Sequence, residues 1–460
     1  MTKLNRLIFC ILLAVSLTAP ANATNLLEIY ELALLNDPLL REAEANRLAT
    51  LESKPQARGA LLPQIEAGAS YSDDTAEGLS AGTFGGVTTV SPIDSESDGW
   101  RWNVQLRQTL FRWDQWVRLK QADKQVAQAE ADYGAAAQSL IIRVAQTYFD
   151  VLAAEDTLES EQAAKEAISR QLEQAQKRFE VGLIAITDVQ EAQAGFDQAV
   201  ATEISAKRSL ATSKEFLREI VGEYQSELAG PREEIPLLSP DPANEEEWVE
   251  TALFQNLSVQ SAELGARIAR DEVRVARTGH FPTIDLVASR QNNDTDGTAL
   301  SINPITSERL FGPTQTDLES DSIQVQFALP IFSGGVTSSR VKESVYLHRA
   351  AKERFERTAR ETERQTRDAY LGVISEISRV KALRQARESA RTALKATEAG
   401  FDVGTRTTVD VLDSRRQLFI AEVNYARSRY DYIVNVLLLK EAAGNLSADD
   451  LAEVNSWLEG

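Results

Sequence analysis

RFEVGLIAITDVQEA, at 178–192, is answered 222 residues later by GFDVGTRTTVDVLDS at 400–414. Phe179 falls on Phe401, Val181-Gly182 on Val403-Gly404, and Asp188-Val189 on Asp410-Val411. The echo continues upstream, where Tyr148 and Val151 fall on Tyr370 and Val373 at the same offset. LLPQIEAGAS (61–70) falls on HFPTIDLVAS (280–289), and EIYELALLNDPLL (28–40) on EWVETALFQNLSV (247–259), both at an offset of 219. A repeat this long is one structural unit built twice. It divides the chain into a first repeat at 24–230, a linker at 231–246, a second repeat at 247–443 and a tail at 444–460.

Prolines mark where the long helices lie. Residues 93–230 contain none, and residues 331–460 contain none. Asp114 to Val181 holds a single internal glycine, Gly134. Its seam of Leu119, Ala122, Val126, Ala129, Tyr133, Ala136 and Leu140 alternates spacings of three and four, a coiled-coil period. A helix of that span is about 100 Å long, more than the diameter of an ordinary domain. Val181-Gly182-Leu183 reads as the turn that ends it, because glycine accepts the left-handed conformation of a helix C-terminus. A second helix, 187–221, returns antiparallel. The second half repeats the plan, with a helix from Gly335 to about Ala399, a turn at 400–404 and a helix over 407–443.

Four segments alternate with period two: Gln64–Ser72, Trp100–Phe111, Thr283–Arg290 and Ile323–Ile331. In the second, Trp100, Trp102, Val104, Leu106 and Leu110 share one face, and Arg101, Asn103, Gln105, Arg107 and Thr109 the other. A half-buried sheet in a soluble protein gives the same alternation. A membrane strand with a polar lumen gives it in segments of about ten residues. Trp100, Trp102, Trp113 and Trp116 crowd together as an interfacial aromatic girdle requires. The stretches 72–99 and 291–321 between paired strands are polar and glycine-rich, and read as exposed outer loops. Four strands cannot close a membrane barrel, which needs at least about eight. An open edge in lipid leaves backbone groups unpaired. Membrane strands here therefore require a barrel shared between chains.

Residues 1–23 read as a secretory leader, with Lys3 and Arg6, an apolar run from Leu7 to Leu17, and Ala21-Asn22-Ala23 as the cleavage site. Cys10, the only cysteine, falls within it, so the expected mature chain from Thr24 has no thiol chemistry and no lipid anchor. The net charge of −20 becomes −22 without the two leader cations, which argues against nucleic acid as a partner. His280 and His348 stand apart from any cluster. No nucleophile elbow, phosphate loop or zinc-protease motif is present, so neither catalysis nor a metal or cofactor is expected.

The stretches RFEVGLIAITDVQ (178–190), GTRTTVDVLD (404–413), LPIFSGG (329–335) and GHFPTIDL (279–286), in this order and spacing, resemble the TolC-type outer-membrane channels, the outer membrane factor family. The likeness covers essentially the whole mature chain. It implies a membrane α+β fold: a homotrimer whose four strands per chain form one twelve-stranded β-barrel, continued by a long α-helical coiled-coil tunnel. The linker and the tail join a girdle around the tunnel. It implies an exit duct for drugs or secreted proteins, lodged in outer-membrane lipid and serving an inner-membrane pump, ABC-type or proton-driven, through a periplasmic adaptor.

The resemblance also assigns roles. Asp410 and Asp413 match acids lining the family's periplasmic entrance. Their i,i+3 spacing puts both on one helix face, and threefold symmetry would stack them as two carboxylate rings that favour cations. Without the resemblance they read as solvated acids at a helix start, favoured by the helix dipole. Arg406 matches an arginine that ties the inner helix pair to the outer one, with Thr187 and Asp188 as its expected partners. Phe401 stands where the family commonly has a tyrosine, so a hydroxyl donor to the latch is missing. Val181, Gly182 and Leu183, with Val403, Gly404 and Thr405, are the tip turns that meet the adaptor. Two alternatives fit the helices: a duct for type I protein secretion only, or a secreted trimeric coiled-coil adhesin or stalk, which leaves the amphipathic strands unexplained.

Overall fold

The computed structural model describes residues 23–84, 87–225, 227–232, 234–302 and 309–458. Residues 1–22 of the 1–23 leader and the tips of both strand pairs lie outside the described residues. In chain order the elements are α1 (Leu26–Asn36), α2 (Pro38–Leu51), α3 (Ser53–Gly59), β1 (Gln64–Phe84), β2 (Val87–Phe111), α4 (Trp113–Glu180) and α5 (Ile186–Val221). There follow α6 (Glu245–Gln255), α7 (Leu257–Arg277), β3 (Thr283–Ile302), β4 (Arg309–Ala328), α8 (Val336–Asp402), α9 (Thr408–Ala443) and α10 (Ala448–Asn455). The repeat read from the sequence is thus a repeat of elements.

It extends to the caps. Asn25 accepts from the Glu28 N–H to start α1, and Asn244 accepts from the Glu246 N–H to start α6. At the next junction Asp37 accepts from the Leu40 N–H, and Asn256 from the N–H groups of Ser258 and Val259. Each residue supplies an orphan donor of the following helix with an acceptor. Asp37 is 2 % exposed and is held from the other side by a bidentate Arg143, at 3.0 and 2.7 Å.

The chain divides into two compact units. The first comprises 1–48, 128–263 and 354–460. Its core gathers Leu26, Ile29, Leu140, Val144, Tyr148, Leu217, Tyr432, Ile433, Leu437 and Leu451, all buried. Two short bridges join distant segments of this unit, Thr24 beside Leu228 in parallel, and Pro231 of the linker beside Leu458 of the tail in antiparallel. The Tyr148 hydroxyl reaches across to donate to the Ala229 carbonyl at 2.6 Å, with the Thr24 carbonyl at 3.2 Å. Gly134 is explained here as well. A Cβ at that position would stand 2.8 Å from Leu257 Cδ1, so the glycine is where α7 approaches α4.

The second unit comprises 49–127 and 264–353 and holds one antiparallel sheet in the order β1-β2-β3-β4. Its register aligns Ile65, Leu106, Ala288 and Ile323 in a single row on one face. The alternate row sets Glu66, Gln105, Ser289 and Ser322 on the other. On the apolar face Ile323 is 81 % exposed, Val325 64 % and Phe327 63 %. A half-buried soluble sheet would have covered these residues; this face is bare within the chain, as a lipid-facing one is. Further along the same face the rows set Ala67 and Val104 against Arg290 and Asp321, and Tyr71 and Trp100 against Asp294 and Asp317. The apolar band therefore crosses the strands obliquely, as tilted barrel strands require.

The strands overrun the expected bounds. β1 and β2 stay paired from Gln64 with Arg107 to Phe84 with Val87, and β3 and β4 from Thr283 with Ala328 to Ile302 with Arg309. Most of 72–99 and 291–321 is thus ladder rather than loop, and β4 ends at Ala328 rather than Ile331. Backbone pairing does not require apolar side chains, and polar cross-strand pairs add to it. Such pairs are Tyr71 with Asp98, Ser289 with Ser322, Arg290 with Glu319 and Asn292 with Asp317. Among the described residues no helix is long and apolar enough to cross a membrane.

Candidate functional site

The two turns that carry the sequence echo also share their hydrogen bonds. In the first, the Gly182 N–H donates to the Phe179 carbonyl at 2.9 Å and the Leu183 N–H to the Arg178 carbonyl at 2.9 Å. In the second, the Gly404 N–H donates to the Phe401 carbonyl at 3.0 Å and the Thr405 N–H to the Gly400 carbonyl at 2.8 Å. Both apical glycines are left-handed, with φ of 75° at Gly182 and 79° at Gly404, which glycine adopts without a Cβ penalty. Helix α8 runs on to Asp402, so the second turn starts at Val403, later within the expected 400–404. The apices present apolar side chains to solvent: Val181, Leu183 and Val403 are each at least 70 % exposed.

Behind each apex a helical hairpin is packed and pinned. Leu172 and Ala175 of α4 bury against Val189 and Ala192 of α5, with Ile184 and Phe196 beside them. The Ser414 hydroxyl donates to Thr397 Oγ1 at 3.1 Å, and Arg415 pairs with Glu398 at 2.5 Å, joining α8 to α9.

The return helices start alike. The Ala185 N–H donates to Asp188 Oδ2 at 3.3 Å, and the Thr407 N–H donates to Asp410 Oδ2 at 2.8 Å. In the second repeat the Thr407 hydroxyl completes the box, donating to Asp410 Oδ2 at 3.0 Å while the Asp410 N–H lies 3.2 Å from it. The N–H and hydroxyl of Thr407, with Arg406 nearby, hold the Asp410 carboxyl below its ordinary range. Asp410 is therefore a helix-start acid in the way the local sequence alone suggests. Asp413, one turn further along α9, is exposed. Both bonds from Thr407 use Oδ2 of Asp410.

Among the described residues, no side-chain hydrogen bond or ion pair joins the expected latch residues within one chain. Among the described residues Arg406 makes no ion pair or hydrogen bond with Thr187 or Asp188 of its own chain. Its backbone N–H donates to the Gly400 carbonyl at 3.2 Å, and a Cβ on Gly400 would stand 2.8 Å from Arg406 Cγ. The arginine stem thus lies against a bare glycine, a role that only the folded turn reveals. Phe401 has a partner that sequence reasoning missed: the guanidinium of Arg178 sits over its ring, 4.9 Å from the centroid. The repeat alignment shows that 178 and 400 are equivalent positions, occupied by a long cation and by no side chain, but names neither contact. Among the described residues no group of three His, Cys, Asp or Glu side chains is placed to hold a metal ion.

An apolar-faced four-stranded sheet on one unit and twin hairpins on the other define an outer-membrane channel subunit of the export type. The family model described as "Outer membrane efflux protein" matches residues 29–223 and again 248–445, once per repeat, and the chain belongs to that family. Outer membrane protein TolC of Vibrio cholerae is 39 % identical over 446 residues, spanning 96 % of each chain. The alkaline protease secretion protein AprF of Pseudomonas aeruginosa is 29 % identical, covering 94 % of this chain and 86 % of that one. Among solved structures, the Campylobacter jejuni CmeC outer membrane channel superposes with a TM-score of 0.73 at 18 % identity, over 94 % of this chain and 89 % of that one. The chain is an outer-membrane exit duct, and its family is one of transport channels rather than enzymes.

Proposed function

We propose that three copies close one twelve-stranded barrel and form the outer-membrane end of a tripartite export system. In it an inner-membrane pump and a periplasmic adaptor deliver drugs or secreted proteins. The observation that carries this reading is the sheet, in which β1 and β4 each pair on one side only. Such edges are untenable in lipid unless neighbouring copies pair with them. The cleaved chain starts at Thr24 and lodges in the outer membrane without a lipid anchor.

The paired turns form the periplasmic tip. Asp410 and Asp413 line it as stacked rings of three carboxylates, and the exposed Val181, Leu183 and Val403 at the apices meet the adaptor. Since Arg406 finds neither Thr187 nor Asp188 within its own chain, we assign its latch partners to the neighbouring protomer. The closed tip is then one state of a two-state element whose population depends on contacts present only when closed.

The test combines mass and conductance. Light scattering in detergent should return a trimer. Planar bilayers should show a small resting conductance that Arg406→Ser raises. A monomer or dimer that conducts normally refutes the shared barrel, and an unchanged Arg406→Ser channel refutes the latch.

A further inference from the structure

Phe401 and Phe179 occupy equivalent places in the two turns, yet their surroundings differ. Phe179 is 40 % exposed, while Phe401 is half-buried with the Arg178 guanidinium over its ring at 4.9 Å from the centroid. The symmetry-related contact cannot form, because residue 400, the counterpart of Arg178, is glycine. The contact occurs once per chain and joins the C-terminal turn of α4 to that of α8, one from each repeat. Among residues with described side chains Arg178 makes no ion pair, whereas its neighbour Lys177 is engaged by Glu173 at 2.5 Å. The last turn of α4 suits a cation, because the exposed carbonyls there carry the negative end of the helix dipole. The Arg178 carbonyl also accepts from the Leu183 N–H at 2.9 Å, so the same residue braces the first turn and reaches across to the second.

We propose that Arg178 is a closing latch of the tip, holding the second-repeat hairpin against the first by stacking its cation on the face of Phe401. This rests on reading the tip as the gate. It gives the ring at 401 a function that needs no hydroxyl: a phenylalanine face attracts a guanidinium through its quadrupole. If the hairpins separate when the tip opens, the stack is lost, and it therefore favours the closed state. An exposed cation–π contact is worth about a two- to fivefold bias, and three contacts acting on one tip multiply to roughly ten- to hundredfold. A ring quadrupole lacks the net charge that counterions would screen, so the bias should survive salt that weakens an ion pair.

The experiment is resting conductance in planar bilayers for wild type, Arg178→Gln, Phe401→Leu, the double variant and Arg406→Ser, with the detergent-resistant trimer as a folding control. Arg178→Gln and Phe401→Leu should each raise the conductance, the double variant should open no further than either, and the effect should persist at high salt. If Arg406→Ser opens the channel while Arg178→Gln and Phe401→Leu leave it closed, the stack is not a latch. Single effects that multiply in the double variant would show two independent contacts and overturn the pairing. If no variant, including Arg406→Ser, changes the conductance, the gate reading itself fails and this inference with it.

Discussion

Replacing Tyr148 by phenylalanine removes one oxygen from the centre of the first unit and nothing else. The residue is fully buried, and its hydroxyl lies 2.6 Å from the Ala229 carbonyl. The ring remains, so no cavity opens. The Thr24 carbonyl keeps the Ala229 N–H, at 3.1 Å, as a donor; the Ala229 carbonyl loses its hydroxyl partner. A buried acceptor left unmatched costs about 1–3 kcal/mol. That cost should appear as local opening of the bridge between Thr24 and Leu228, with exchange of the Ala229 amide accelerated roughly 5- to 150-fold. The amide of Arg232, bonded to the Trp457 carbonyl at 3.0 Å, lies on the neighbouring bridge and should change much less. Burial pushes the Tyr148 phenol far above its ordinary value, so the group stays a protonated donor at any working pH. The ratio of variant to wild-type exchange should therefore be flat from about pH 5 to 9. Resting conductance should not move, because the proposed gate is at the paired turns and not at this bridge. Unchanged exchange at Ala229 would show that the hydroxyl does not hold the segment around Leu228 and Ala229 to α4. Equal acceleration at Arg232 would show global loosening instead.

Three further outcomes are expected. Asp410→Ala with Asp413→Ala should lower cation preference, measured as reversal potential under a salt gradient, and relieve block by trivalent cations; unchanged values would place these acids outside the pore. Gly400→Ala should raise resting conductance, because a methyl there would stand 2.8 Å from Arg406 Cγ and force the stem aside, a cost that offsets the gain of about 1 kcal/mol in helix propensity. Asp37→Asn should destabilise the fold toward the lower end of about 3–5 kcal/mol, because Arg143 keeps some access to water, and fewer trimers should resist detergent. Burial alone would raise the Asp37 pKa, but the Arg143 guanidinium and the Leu40 N–H together depress it. The stability it contributes is thus full above the ordinary carboxylate range and lost as pH falls through the lower folded value, and the asparagine variant should lack that acid-side loss.

Periodicity and repetition were enough to place the long helices, the four strands, the two glycine turns and the apolar strand face. These are local or statistical properties: a 3.5-residue seam, a two-residue alternation, and a glycine where the chain must reverse. The echo at 222 residues pairs the two turns, and the shared hydrogen bonds of Gly182 and Gly404 follow from it. Strand ends were not legible, because ladder bonds belong to the backbone and continue through Asp73, Ser97 and Asn292 as readily as through Val104. Nor was the partner of Phe401. The repeat said that Arg178 and Gly400 are equivalent, but only the packing of α4 beside α8 brought the cation of one turn over the ring of the other. Tyr148, Asp37 and Gly134 were likewise ordinary letters in a helical pattern until distant segments met them. Local pattern decides which elements form; side chains reaching across elements decide what each residue does, and those meetings exist only once the chain is folded.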